Sequence, residues 1–166
     1  MRCRILLFLN DTQAISDMLY YLIYCSTACE LMTPEALRFL LQQARSRNRE
    51  MVITGMLVYV EGTSGGDTQA RFMQVLEGSR FVVESIFDKI RRDDRHRDVV
   101  VLKREAISKR NFRTWDMGFE QIDLEKYPEI KPFFELNDPP VSDEFLASDA
   151  SLEFLKSFYD ERQDGV

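Results

Sequence analysis

The alternation of apolar and polar positions divides the chain into short elements. Leu19–Ser26 (LYYLIYCS) is apolar on both alternating faces, which predicts a central strand of a sheet covered on both sides. Thr33-Pro34-Glu35 then reads as an N-cap, a first-turn proline and an acidic residue near the positive end of a helix dipole. Leu37, Leu40, Leu41 and Ala44 follow at helical spacing, and the pattern fades near Arg47–Asn48. Met51–Val60 and Phe72–Gly78 are strand-type runs that bracket EGTSGGDTQAR, a hairpin whose linker has the composition of a mobile surface loop. Gly78-Ser79 ends that strand and opens a second helix, with Val82, Val83, Ile86, Phe87 and Ile90 on its buried side. After a charged turn at Asp93–Asp98, Asp98–Glu105 and Phe112–Ile122 read as two more strands. On the last of these, Trp115, Met117 and Phe119 share a face.

This order is β-α-β-β-α-β plus a fifth strand, an α+β chain of the ferredoxin-like plan. The plan sets the first and third strands side by side at the sheet centre and both helices on one face, so Tyr24 and Gln74 fall on neighbouring strands. The other face needs a cover. Residues 123–166, punctuated by Pro128, Pro132 and Pro139-Pro140, supply one in the short amphipathic helix carrying Leu152, Leu155, Phe158 and Tyr159. The expected organisation is a leader over 1–17, a main domain over 18–122 and a C-terminal helical cap over 123–166. The leader is either flexible or an addition upstream of a start at Met18.

Composition narrows the partners. Acidic residues (28) outnumber Lys plus Arg (22), for a formal charge of -6, which argues against direct contact with nucleic acid. No apolar run approaches the ~20 residues that cross a bilayer. Cys3, Cys25 and Cys29 have no metal-ligand spacing and leave an odd thiol if two pair, a usage that suits a reducing cytoplasm.

Three constellations carry candidate chemistry. Gln74, set among Phe72, Met73, Val75 and Leu76, is an amide that must find partners, because burying it unpaired costs roughly 2–7 kcal/mol. With Tyr24 it forms either a plain buried hydrogen bond or a donor–acceptor pair suited to a heteroaromatic ring. Asn48 and Lys89, on the two helices, are either solvated helix-end residues or the frame of a cleft for a planar polar ligand with a phosphate tail, whereas Arg92 reads as a solvated helix end. Arg95-His96 reads as surface. No glycine loop cradles phosphate at a strand–helix junction, and no carboxylate pair sits in an apolar setting, so no catalytic residue and no metal ligand is assigned.

LIYCSTA, Asn48 ahead of ITGMLVY, FMQVLEG, the DDRH turn and RNFRTWDMGF together resemble the BLUF family, flavin-based sensors of blue light, over roughly Met18–Phe119. The resemblance implies a non-covalent FAD between the two helices, with FMN a compatible substitute. It implies that Tyr24 is the photoactive phenol and Gln74 the switching amide. Asn48 then bonds the polar edge of the ring, Lys89 faces the phosphates, and Trp115 and Met117 respond to the switch. The sequence departs from the family in its longer 61–71 hairpin linker, in Arg47 where some relatives carry His or Asn near the flavin, and in residues 1–17. The reading is a short photoreceptor, not an enzyme, that signals to a protein partner or through its own oligomer, expected to be a homo-oligomer such as a dimer. The rivals are a metabolite-binding regulatory module on the same fold and a small flavin-dependent or acylphosphatase-like enzyme.

Overall fold

The computed structural model describes residues 18–64, 66–128 and 149–163. The elements are β1 (Leu19–Ala28), α1 (Pro34–Glu50), β2 (Thr54–Ser64), β3 (Asp67–Ser79), α2 (Arg80–Ile90), β4 (His96–Ala106), β5 (Gly118–Asp123) and α3 (Ala150–Gln163), with a short 3-10 turn at Leu124–Lys126. One five-stranded sheet runs β4-β1-β3-β2-β5, so β1 and β3 are neighbours as the topology requires. Their antiparallel register sets Tyr24 directly opposite Gln74. β5 closes the sheet in parallel with β2. The fold is the α+β, ferredoxin-like arrangement expected from the sequence.

Alternation along the strands divides the core in two. On one face Tyr20, Leu22, Tyr24, Leu57, Phe72 and Leu76 pack against Leu37, Leu40, Leu41 and Ala44 of α1 and Val83, Ile86, Phe87 and Ile90 of α2. On the other, Tyr21, Ile23, Met56, Val58, Met73 and Val75 pack against Phe154, Leu155 and Phe158 of α3, which therefore covers the sheet there. Residues 1–17, including Cys3, and residues 129–148 lie outside the described residues. No helix among the described residues is long and apolar enough to cross a membrane.

Three elements differ from the sequence reading. α1 runs on to Glu50, so Met51 and Val52 form a turn and not the start of β2. Val52 there has φ 55, an uncommon left-handed setting for a β-branched residue, and its carbonyl accepts from the Arg110 guanidinium (2.6 Å). The 61–71 linker is not a loop. β2 and β3 stay paired residue for residue out to Ser64 and Asp67.

The fifth strand is the largest correction. It begins at Gly118, not Phe112, so Trp115 and Met117 precede it and do not share a strand face. Met117 packs into the α1/α2 core and Trp115 against the α3 core. The cause lies across the sheet at Glu77, whose fully buried carboxylate accepts from the Asn111 backbone N–H (2.9 Å), the Asn111 side chain (2.8 Å), the Phe112 N–H (3.0 Å) and the Thr54 hydroxyl (3.1 Å). Backbone donors taken by a carboxylate are not available to a ladder. From Gly118 the chain can pair, and only glycine fits there, since a Cβ would stand 1.9 Å from the Trp115 ring.

Candidate functional site

Between α1 and α2, above the middle of the sheet, lies a cleft of about 550 Å³, open mouth included. α1 contributes Leu40, Gln43, Ala44 and Arg47, and α2 contributes Lys89 and Ile90. The floor is Tyr24, Leu57, Phe72 and Gln74, and Asp93, Arg95 and His96 close one side. Five apolar side chains share the lining with eight that are polar, charged or phenolic, so the cleft suits a small molecule with polar edges.

At the floor the Tyr24 hydroxyl donates to Gln74 Oε1 over 2.5 Å, and Gln74 Nε2 donates to Met117 Sδ over 3.3 Å. Both residues are buried. The Gln74 amide is thus satisfied at both ends, by a phenol on one side and a thioether on the other. Burial pushes the Tyr24 phenol well above its ordinary value of 10, with the Arg47 cation opposing. The β1–β4 register shifts between Ile23 and Tyr24, a local irregularity beside the site.

Asn48, on the last turn of α1, is fully buried. Its Nδ2 donates to the Asp116 carbonyl (2.7 Å), while its Oδ1 has no partner among the described residues. Lys89 lines the cleft and is exposed, whereas Arg92 is exposed and does not line it. The segment ahead of β5 is fastened through three successive carbonyls: Trp115 O accepts from Gly55 N–H (3.1 Å), Asp116 O from Asn48, and Met117 O from Arg45 Nε (2.9 Å). On its far side Trp115 meets Tyr159 of α3 edge-on, 4.8 Å between ring centroids, and the Thr114 and Tyr159 hydroxyls are 3.1 Å apart.

Of the residues singled out from sequence, Tyr24, Gln74 and Lys89 meet at the cleft. Met117 touches Gln74, Asn48 reaches the same segment through Asp116, and Trp115 stands off on the opposite face. Of the Arg95-His96 pair, which the sequence reads as surface, Arg95 is exposed and His96 is half-buried. β4 begins at His96, whose Nδ1 lies 2.8 Å from Ser26 Oγ and whose ring packs at a tilt of 45° against Phe72 (4.6 Å between centroids) at the cleft wall. Burial lowers the His96 pKa to about 4, so the ring is neutral near pH 7. Asp93 is held at about 2, chiefly by its hydrogen bonds from Arg95. The signal that could have found His96 was the alternation of β4 counted from two residues earlier.

A planar heteroaromatic group with amide-like edges fits these residues. The floor offers a phenol and a primary amide; Asn48 is not among the residues lining the cleft, but its Oδ1, without a partner among the described residues, is an acceptor suited to a ring N–H.

Comparison with known proteins gives the same direction. A family model, BLUF, sensors of blue light using FAD, matches residues 19–118. Photoactivated adenylate cyclase subunit beta of Euglena longa is 35% identical over 91 residues, 55% of this chain and 10% of the relative. Subunit alpha of the Euglena gracilis enzyme is 38% identical over 89 residues, 54% of this chain and 8% of the relative. The chain thus spans a tenth or less of the length of these relatives. Among solved structures, the dark state of BlrB, a BLUF protein, superposes with a TM-score of 0.63 at 23% identity over 88% of this chain and 98% of that one, a likeness of fold. The BLUF structure of BlrP1 superposes with a TM-score of 0.55 at 33% identity, over 85% and 89% of the two chains.

Proposed function

The chain belongs to the BLUF family, sensors of blue light using FAD, and on that premise we propose that Tyr24 and Gln74 form a light-operated hydrogen-bond switch against a flavin held in the cleft. The observation that supports this most directly is the buried chain Tyr24 Oη–Gln74–Met117 Sδ, with contacts of 2.5 and 3.3 Å. FAD is the proposed form, with Lys89 at the cleft mouth serving its phosphates as a point charge. FMN offers the same ring, and a BlrP1 structure is described with it. Asn48 Oδ1 would accept from the polar edge of the ring.

When bound, the flavin supplies blue absorption and an excited state able to accept an electron and a proton from a phenol. Tyr24 keeps its proton in the dark, since burial raises its pKa far beyond neutral pH. The proton therefore leaves Tyr24 Oη only under the drive of light, and it returns there in the same cycle. Gln74 is the element that remains changed. Rotation or tautomerisation of its amide exchanges donor and acceptor, so the end facing Tyr24 and the end facing Met117 Sδ change character together. No net reaction results. The output is a different set of hydrogen bonds at the cleft floor.

Movement at Gln74 is passed to Met117, and thence along 114–117 to Tyr159 on α3. From α3 the signal leaves to a protein partner or to a second copy of the chain. Trp115 and Met117 serve as the relay, one on each face of the sheet. In this scheme residues 18–122 form the flavin-binding unit and α3 its cap.

The test is an absorption spectrum of the purified, flavin-loaded protein before and during blue illumination. A yellow protein with a reversible red shift is expected. A protein that takes up neither FAD nor FMN, or one that binds flavin and shows no reversible shift, would overturn the reading.

A further inference from the structure

Two buried polar atoms at the end of α1, on residues adjacent in sequence, have no hydrogen-bond partner among the described residues: Arg47 Nε and Asn48 Oδ1. One is a donor and the other an acceptor. The arginine is the more telling. A guanidinium does not shed its proton, so a buried N–H of this kind needs an acceptor. Leaving it unmet is destabilising, and more so for a charged group. Arg47 lines the cleft with Tyr24, Gln74, Lys89 and His96. The charged or titratable groups acting on it are the Tyr24 phenol, Arg95 and Asp93. None neutralises it. Tyr24 is uncharged, Arg95 is like-charged, and Asp93 is already engaged through both of its oxygens by Arg95 (2.8 and 2.5 Å).

We propose that Arg47 is a charge-tuning residue of the flavin site. Its Nε–H meets an acceptor of the bound ring, and its fixed positive charge favours ring states that carry extra negative charge. This rests on the reading that the cleft holds flavin, and goes beyond it by assigning the residue that sets the flavin's redox poise. The two redox forms of the ring differ in charge, and a cation binds them differently. An oxidised isoalloxazine is neutral, whereas two electrons and one proton convert it to a reduced ring with a net negative charge. A cation near the ring gains Coulomb energy with the second form and little with the first. At an effective dielectric of ~20 a contact pair of charges is worth a few kcal/mol, ample for a tenfold preference after screening. A neutral amide at position 47 supplies a hydrogen bond but not the charge.

The experiment compares the flavin-loaded full chain with Arg47→Lys and Arg47→Gln, all in the dark. Each is titrated anaerobically with dithionite against a reference dye, dithionite supplying the electrons and leaving as sulfite. Arg47→Gln should shift the balance about tenfold toward oxidised flavin, and Arg47→Lys should retain most of the original balance. A variant too weak to hold flavin is read by titrating its apoprotein separately with oxidised and pre-reduced flavin. By linkage, the ratio of the two dissociation constants carries the same information. A balance within threefold of the unmutated protein in Arg47→Gln, or equal shifts in Arg47→Lys and Arg47→Gln, would overturn the proposal. Failure of the unmutated chain to bind flavin would instead remove the reading beneath it.

Discussion

Gln74 and Glu77 stand three residues apart on β3 and face opposite sides of the sheet. Gln74 meets Tyr24 on the α1/α2 side, and Glu77 holds Asn111 and Phe112 toward α3. The strand that carries the proposed switch thus also fixes the chain leading to Met117 and Trp115. The segment ahead of β5 runs from residues 111–112, held by Glu77, to Gly118, where pairing with β2 begins, and is fastened between them through the carbonyls of Trp115, Asp116 and Met117.

Tyr24→Phe should bind flavin yet lose the reversible red shift, since the proposed switch takes its proton from the phenol and the ring packing is retained. Gln74→Leu should lose the shift as well. A dark-minus-light spectrum decides the matter, and a full shift in either variant would move the switch to other residues.

The contacts of Met117 and Tyr159 make the relay testable. Met117→Ala should leave the spectral shift nearly intact while abolishing light-dependent hydrogen exchange at 113–117 and 150–159. The bland alternative is that α3 merely shields the sheet and Trp115 is a packed core residue. Exchange identical in light and dark across both segments of the unmutated protein would establish that alternative.

Glu77→Gln replaces one acceptor oxygen with an NH2 that must face other donors. The loss should be about 3 kcal/mol in urea unfolding, the scale of a broken buried polar node. Native-state exchange should rise first at Asn111 and Phe112. An unchanged urea midpoint would show that the four hydrogen bonds to Glu77 carry little stability.

Much of this was legible in the sequence, for a reason that also explains the misses. The two-faced apolar runs of β1 and β3 and the helical stripes between them leave few topologies, and the adjacency of Tyr24 and Gln74 follows from the plan. The start of β5 does not follow, because it is decided by a carboxylate 35 positions away in sequence from Phe112. His96 was hidden by its charged neighbours. Its burial comes from Phe72 and Ser26, on two other strands.

His96 gives the flavin-free protein a pH dependence of known sign. Its pKa falls from 6.5 unfolded to about 4 folded, so between those values the unfolded chain binds the additional proton. This contribution is complete above pH 6.5 and is lost as pH falls toward 4. Urea midpoints measured from pH 7.5 to 5, above most carboxylate titrations, should decline, and His96→Gln should flatten the decline. Equal slopes in the two proteins would assign the acid sensitivity elsewhere.

The one-to-one pairing of β2 with β3, from Thr54 opposite Glu77 to Ser64 opposite Asp67, makes parity a property of the hairpin. A residue added to one arm alone creates a bulge or turns every side chain beyond it to the wrong face. Residues added as opposed pairs turn none. The segment outward of Val60 and Arg71 can therefore lengthen or shorten by even steps while Gln74 keeps its place opposite Tyr24 and Leu57. An unusually long arm is compatible with an undisturbed cleft because its length is counted in twos.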